Sequence, residues 1–312
     1  MPSAARPSFD DALRAACPAT CPRLPDEAGI GLRHRFVEAN GLRFHVVEAG
    51  SGPLVVLLHG FPEFWYGWRN QIPALATRFR VVAPDLRGYN LTDKPEAGYD
   101  YPTLIGDVPA LIGALGEQRA HVVGHDWGGM LAWGAAAVHP DAVDRLAILN
   151  APHPAAFMRE LERNPRQWLK SWYIGVFQVP GLADWLLRRQ HARLVAEALR
   201  RSARDPSAFS DADLAAYRRA FLRPGAARAA LAYYRSLAAA PPRTLATDLP
   251  PIAASTLLVW GLHDTALVPD LIEAVQDWVS DLRVERIADA SHWVQHERPA
   301  EVNRLLLEHL AG

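Results

Sequence analysis

From residue 35 onward the chain alternates short apolar runs with longer stretches whose apolar residues recur at helical spacing. The runs fall at residues 35–38, 43–48, 54–58, 80–83, 120–124, 145–149, 256–260 and 283–287. Most are short, β-branched and apolar at successive positions, which predicts strands buried on both faces. Asn40-Gly41 between the first two predicts a tight hairpin, because both turn positions need a left-handed backbone. Residues 103–115, 130–139 and 270–279 carry the helical pattern. Strands followed by helices predict an α/β architecture: a mostly parallel sheet flanked by helices.

The alternation breaks over residues 151–246, which are rich in Arg, Ala and aromatics and hold no buried-strand run. Breaks at Pro180-Gly181, Asp205-Pro206 and Pro224-Gly225 divide this stretch into helices, so it predicts a helical cap inserted into the sheet domain. The core is then 30–150 plus 247–312, with Pro241-Pro242 and Pro250-Pro251 marking the return to it. Residues 1–29 form an N-terminal extension without the apolar stretch of a secretory signal, and a cytoplasmic location is expected. Its Cys17 and Cys21 are the only cysteines and, lacking a second ligand pair, make a poor zinc site.

Composition narrows the classes further. Half the residues (50%) are hydrophobic, too many for a disordered chain, and no apolar stretch approaches the ~20 residues that span a bilayer. Lys and Arg total 33 against 34 Asp and Glu, so neither a nucleic-acid nor a membrane partner is expected, and a homodimer is compatible with this balance. Lys94 and Lys170 are the only lysines, a bias that carries no functional meaning by itself.

The chemistry concentrates in His121-Val122-Val123-Gly124-His125-Asp126-Trp127-Gly128-Gly129. Small residues around one central side chain after a strand predict a nucleophile elbow, with Asp126 at the nucleophile position. A carboxylate suits displacement at sp³ carbon and would form an alkyl ester, whose hydrolysis needs a base to activate water. Asp264, after the run 256–260, and His292, after the run 283–287, follow in the order acid then base. The backbone N–H groups of Phe61, in His59-Gly60-Phe61-Pro62, and of Trp127 are the expected oxyanion hole. His125 is expected to point away from the site, and His296 and Glu297 to be helix-start or surface groups. Asp85 and Arg87 are expected to pair with each other.

These motifs, with Asp85-Leu86-Arg87-Gly88-Tyr89 and Ser291-His292-Trp293, resemble the α/β-hydrolase superfamily over nearly all the chain after residue 30. Asp126 as nucleophile narrows the resemblance to epoxide hydrolases and dehalogenases. Epoxide hydrolases place two cap tyrosines over the nucleophile, and the chain is similar at Tyr173 and Tyr234, with Tyr233 competing for the second place. Phe61 stands where many haloalkane dehalogenases have Asn, and Tyr173-Ile174 where fluoroacetate dehalogenases have a His-Trp pair. Asn90 replaces the Gly common there in relatives.

The resemblance implies a cofactor-independent epoxide hydrolase, with no metal, acting on a small apolar epoxide and water. Asp126 would be the nucleophile, Asp264 and His292 the acid and base, and Tyr173 and Tyr234 the proton donors. Pro62, Trp65, Trp172, Phe177 and Trp293 are the expected apolar pocket. The alternatives are a haloalkane or haloacid dehalogenase with the same triad, or a noncatalytic ligand receptor on this fold.

Overall fold

A computed structural model of the chain describes residues 30–239 and 249–312. Cys17, Cys21 and Pro241-Pro242, with the far boundary of the cap near residue 246, lie outside the described residues.

Each apolar run becomes a strand: β1 (Arg33–Ala39), β2 (Leu42–Ala49), β3 (Leu54–Leu58), β4 (Arg80–Pro84), β5 (Ala120–His125), β6 (Val143–Leu149), β7 (Ser255–Gly261) and β8 (Leu282–Ile287). They form an eight-stranded sheet in the order β1-β2-β4-β3-β5-β6-β7-β8. β2 pairs antiparallel with β1 and β4, and every other pairing is parallel. The β1–β2 turn is made by Asn40 and Gly41, at φ +44° and +73°. Side chains alternate across the sheet, so Leu54, Val56 and Leu58 of β3 join one hydrophobic core and Val55 and Leu57 the other. The first core packs against α1 (Tyr101–Ala114) and α2 (Trp127–Val138), the second against the C-terminal helix. Both faces are covered, which explains the unbroken apolar runs.

Two predicted helices begin earlier than their pattern. α1 starts at Tyr101 because the Asp100 side chain accepts the Thr103 N–H at 3.0 Å, an N-cap bond. α2 starts at Trp127, directly after the nucleophile candidate. The cap comprises α3 (Pro154–Arg163), α4 (Pro165–Lys170), α5 (Trp172–Phe177), α6 (Leu182–Ser202), α7 (Asp211–Phe221) and α8 (Ala226–Ala239). α6 is interrupted by non-helical backbone from Arg189 to Ala192. Among the described residues no helix is long and apolar enough to cross a membrane.

Two expectations change and a third residue gains a role. Asp85 and Arg87 do not pair with each other: Asp85 takes His45 Nδ1 at 2.6 Å, and Arg87 forms a two-pronged bond to Asp107 at 2.6 and 2.8 Å. Asn90, at φ +37°, donates to Asp85 at 2.8 Å, so its side chain does work a glycine could not. His296 and Glu297 are buried rather than surface groups. Glu297 accepts from the Ser291 N–H and hydroxyl and from Asp205 N, which fixes the turn that precedes His292.

Candidate active site

β5 runs into α2 through the single residue Asp126, held at φ +51°, ψ −121°. A non-glycine residue there stores on the order of 1–3 kcal/mol and persists only where neighbours hold it. Close backbone approach does that: a Cβ on Gly128 would lie 2.1 Å from the Leu58 carbonyl oxygen, and one on Gly60 would lie 2.4 Å from Asp126 Cβ. The glycine pattern therefore brings the ends of β3 and β5 together beneath the carboxylate.

Asp126 Oδ1 accepts the Phe61 N–H at 2.7 Å, and Oδ2 lies 3.4 Å from His292 Nε2. On its other side His292 donates from Nδ1 to Asp264 Oδ2 at 2.7 Å. Asp264 leaves no lone pair idle. Oδ2 also accepts from Asn150 at 2.8 Å, while Oδ1 takes the N–H groups of Ala266 and Leu267 at 2.7 and 2.9 Å. Burial works to raise the Asp264 pKa, yet His292 and these donors hold it below the usual carboxylate value. Burial likewise draws the His292 pKa down, but Asp264 and Asp126 outweigh it and push the imidazole up to about 10.

His125 packs behind this row, its Nε2 bonded to the His292 carbonyl at 2.9 Å and its Nδ1 to Glu63 at 3.0 Å. Glu63 is fully buried and also receives His296 Nε2 at 2.7 Å and the Tyr217 hydroxyl of α7 at 3.0 Å. Neither Glu63 nor Asn150 stood out in the sequence. The available signals were an acid embedded in the aromatic run Phe61 to Trp68 and an Asn immediately after β6.

Tyr173 of α5 and Tyr234 of α8 line one cavity with Asp126, their rings 6.0 Å apart. Burial first, then the Asp126 charge, raises both phenol pKa values, so both remain protonated at any working pH. Tyr233 turns elsewhere and donates to the Arg87 carbonyl at 2.8 Å. The cavity measures about 30 Å³ and its apolar wall includes Met130, Phe157 and Leu267.

None of the five expected pocket side chains borders this cavity. Trp172 is 68% exposed on the outer face of the cap, since the residue before Tyr173 on a helix points about 100° away. Phe177 stands behind the tyrosines, 5.5 Å from Tyr173 and 5.0 Å from Tyr234. Trp65 packs on His34, and Trp293 bonds Ser202 at 2.8 Å. Pro62 follows Phe61 through a cis peptide bond. Trp127 does border the cavity, with its ring 5.2 Å from that of Tyr234.

A family profile described as the alpha/beta hydrolase fold matches residues 53–299. The AB hydrolase superfamily protein YfhM of Bacillus subtilis is 41% identical over 285 residues, covering 90% of this chain and 98% of that one. Epoxide hydrolase 2 of Caenorhabditis elegans is 37% identical, covering 86% of this chain and 78% of that protein. Among solved structures, an epoxide hydrolase from Bacillus megaterium in complex with an inhibitor aligns with TM-score 0.80 at 32% identity, over 89% of this chain and all (100%) of that one. The chain thus belongs to the α/β-hydrolase superfamily and, within it, to the epoxide hydrolase family.

Proposed function

We propose that this protein hydrolyses apolar epoxides to vicinal diols through a covalent ester of Asp126. The observation that carries this reading is the pair of neutral phenols, Tyr173 and Tyr234, on the wall of the cavity that holds the carboxylate. An opening epoxide leaves as an alkoxide and needs a proton donor, whereas a departing halide needs none. The phenols therefore favour an epoxide over an organohalide.

In the first half-reaction Asp126 attacks one epoxide carbon, the C–O bond breaks, and its electron pair becomes an alkoxide that takes a proton from Tyr173 or Tyr234. In the second, water attacks the ester carbonyl of Asp126 and gives a proton to His292 Nε2, while Asp264 stabilises the imidazolium. The tetrahedral oxyanion is held by the Phe61 N–H, with the Trp127 N–H as second donor. Collapse expels the diol oxygen, which takes the proton back from His292. The second proton of the water, released as Asp126 returns to a carboxylate, restores the phenol.

Esterification also sets the order of events. Removing the Asp126 charge removes one of the two anions that hold His292 protonated, so the imidazolium releases a proton to solvent and becomes a base once there is an ester to hydrolyse, and takes one up again when the Asp126 carboxylate returns.

His292→Gln, incubated with an aryl or alkyl epoxide that the wild type consumes, is expected to gain the full substrate mass on Asp126 and keep it. Asp126→Asn is expected to gain none. A folded His292→Gln protein that binds the epoxide yet stays unmodified by intact and peptide mass spectrometry refutes the ester route. Halide release from organohalides without diol from any epoxide makes the chain a dehalogenase instead.

A further inference from the structure

The cap touches the acid loop through a few specific polar bonds. Gln167 of α4 is fully buried, and its amide spans two backbone groups of that loop: Nε2 donates to the Ala266 carbonyl at 3.0 Å and Oε1 accepts the Val268 N–H at 2.9 Å. One turn later Lys170 donates from Nζ to the carbonyl of Asp264 itself. The N–H groups of Ala266 and Leu267, lying between these anchors, are the ones that hold Asp264 Oδ1. Three residues beyond Lys170 the same segment presents Tyr173 to the cavity.

Lysine is rare here, with two among 33 basic residues, and the other one behaves alike: Lys94 donates to the carbonyls of Asn90 and Thr92 at 2.6 and 2.8 Å. A compact ammonium with three donors fits converging carbonyls that a planar guanidinium would wedge apart.

We infer that Gln167 and Lys170 are positioning residues for the hydrolytic half-reaction, holding the Asp264 loop so that Asp264 aligns His292 while Tyr173 serves ring opening from the same stretch of cap. Neither touches substrate; both act through the loop. The inference rests on the ester route proposed above.

The test separates the two half-reactions. Lys170→Met and Gln167→Met keep side-chain length and lose the polar bonds, and Lys170→Met leaves the Gln167 bonds in place should Gln167→Met fail to fold. In single-turnover mixing with an accepted epoxide, each folded variant is expected to form ester at close to the wild-type rate. Each is expected to hydrolyse it about tenfold or more slowly, the scale of a small misplacement of catalytic groups. Ester then accumulates by intact mass, and the pH dependence of hydrolysis moves to lower pH as Asp264 loosens from His292. Equal slowing of both steps, without ester accumulation, would mean that α4 merely holds the cap down and would overturn the inference. Unchanged rates in Lys170→Met overturn it as well. An absent adduct in His292→Gln defeats the ester route first, whereas an adduct there with unaltered step ratios in both cap variants defeats only the role of Gln167 and Lys170.

Discussion

Replacing Asp126 with Asn imitates, without substrate, the charge loss that an ester would bring. In the resting protein His292 lies 2.7 Å from Asp264 and 3.4 Å from Asp126, and together they push its pKa up to about 10 against the pull of burial. An opposite charge at that range moves a pKa by about 1–3 units, so with only Asp264 left His292 should titrate between about 7 and 9. At pH 7.5 a group of pKa about 10 is unprotonated in about 0.3% of molecules and one of pKa about 8 in about 24%, a gain of nearly two orders of magnitude in free base. The assay is nitrogen-detected NMR of the labelled imidazole in wild type and Asp126→Asn from about pH 5 to pH 11, spanning both titrations. A second readout follows from the sign of the shift. A folded-state pKa raised above the unfolded value stabilises the protein below about 6.5, and that stability is lost as pH rises through about 10 in the wild type, earlier in the variant. Identical titrations in the two proteins, or a wild-type His292 titrating near 6.5, would refute the proposed switch.

The remaining expectations concern the cap and the elbow. Tyr173→Phe and Tyr234→Phe should each slow ester formation and the double variant should lose nearly all of it, by about 10²-fold or more in stopped-flow mixing, as befits loss of general acids. Tyr233→Phe should leave ester formation intact and instead lower stability by about 1 kcal/mol in urea unfolding, because its hydroxyl serves the Arg87 carbonyl. Gly128→Ala places a methyl 2.1 Å from a backbone carbonyl that no side-chain rotation can relieve, and is expected to cost about 3 kcal/mol or more by the same measurement. A wild-type unfolding midpoint for that variant would contradict the close packing of β3 on α2.

What the sequence disclosed follows the range of the interactions involved. The central strands were legible because a strand covered on both faces is apolar at nearly every position, a signal confined to a few neighbouring residues, and β1 and β2 because Asn40-Gly41 marks the turn between them. The elbow was legible for the same reason, since its glycines serve a turn only a few residues long. Asp264 and His292 could be nominated only because each follows a strand in the expected order. Glu63 meets His125 across 62 positions and Gln167 meets Ala266 across 99, and no local pattern encodes such a pairing. The five expected pocket side chains lie away from the cavity at Asp126, because aromatic content does not encode proximity. On the short helix α5, Trp172 and Tyr173 are adjacent in sequence, yet one faces solvent and the other the carboxylate.

The division between sheet and cap constrains how turnover proceeds. The sheet carries Asp126, Asp264 and His292 at or just beyond the ends of strands packed through both cores. The tyrosines come from two cap helices that are tied to each other: Gln178 donates to the Tyr234 carbonyl at 3.2 Å and Arg235 to the Phe177 carbonyl at 2.9 Å. Arg235 also pairs with Asp184 at the start of α6 at 2.8 Å. These ties make α5 and α8 shift together sooner than separate. Any movement of the cap would thereby keep the phenol spacing while changing the distance to the carboxylate. Among the anchors from cap to core, the Tyr217 bond to Glu63 lies behind His292 and the Gln167 bonds lie on the Asp264 loop. Displacement of the cap during substrate admission would therefore strain the supports of the base and its acid together, and its return would restore the hydrolytic geometry after the ester has formed.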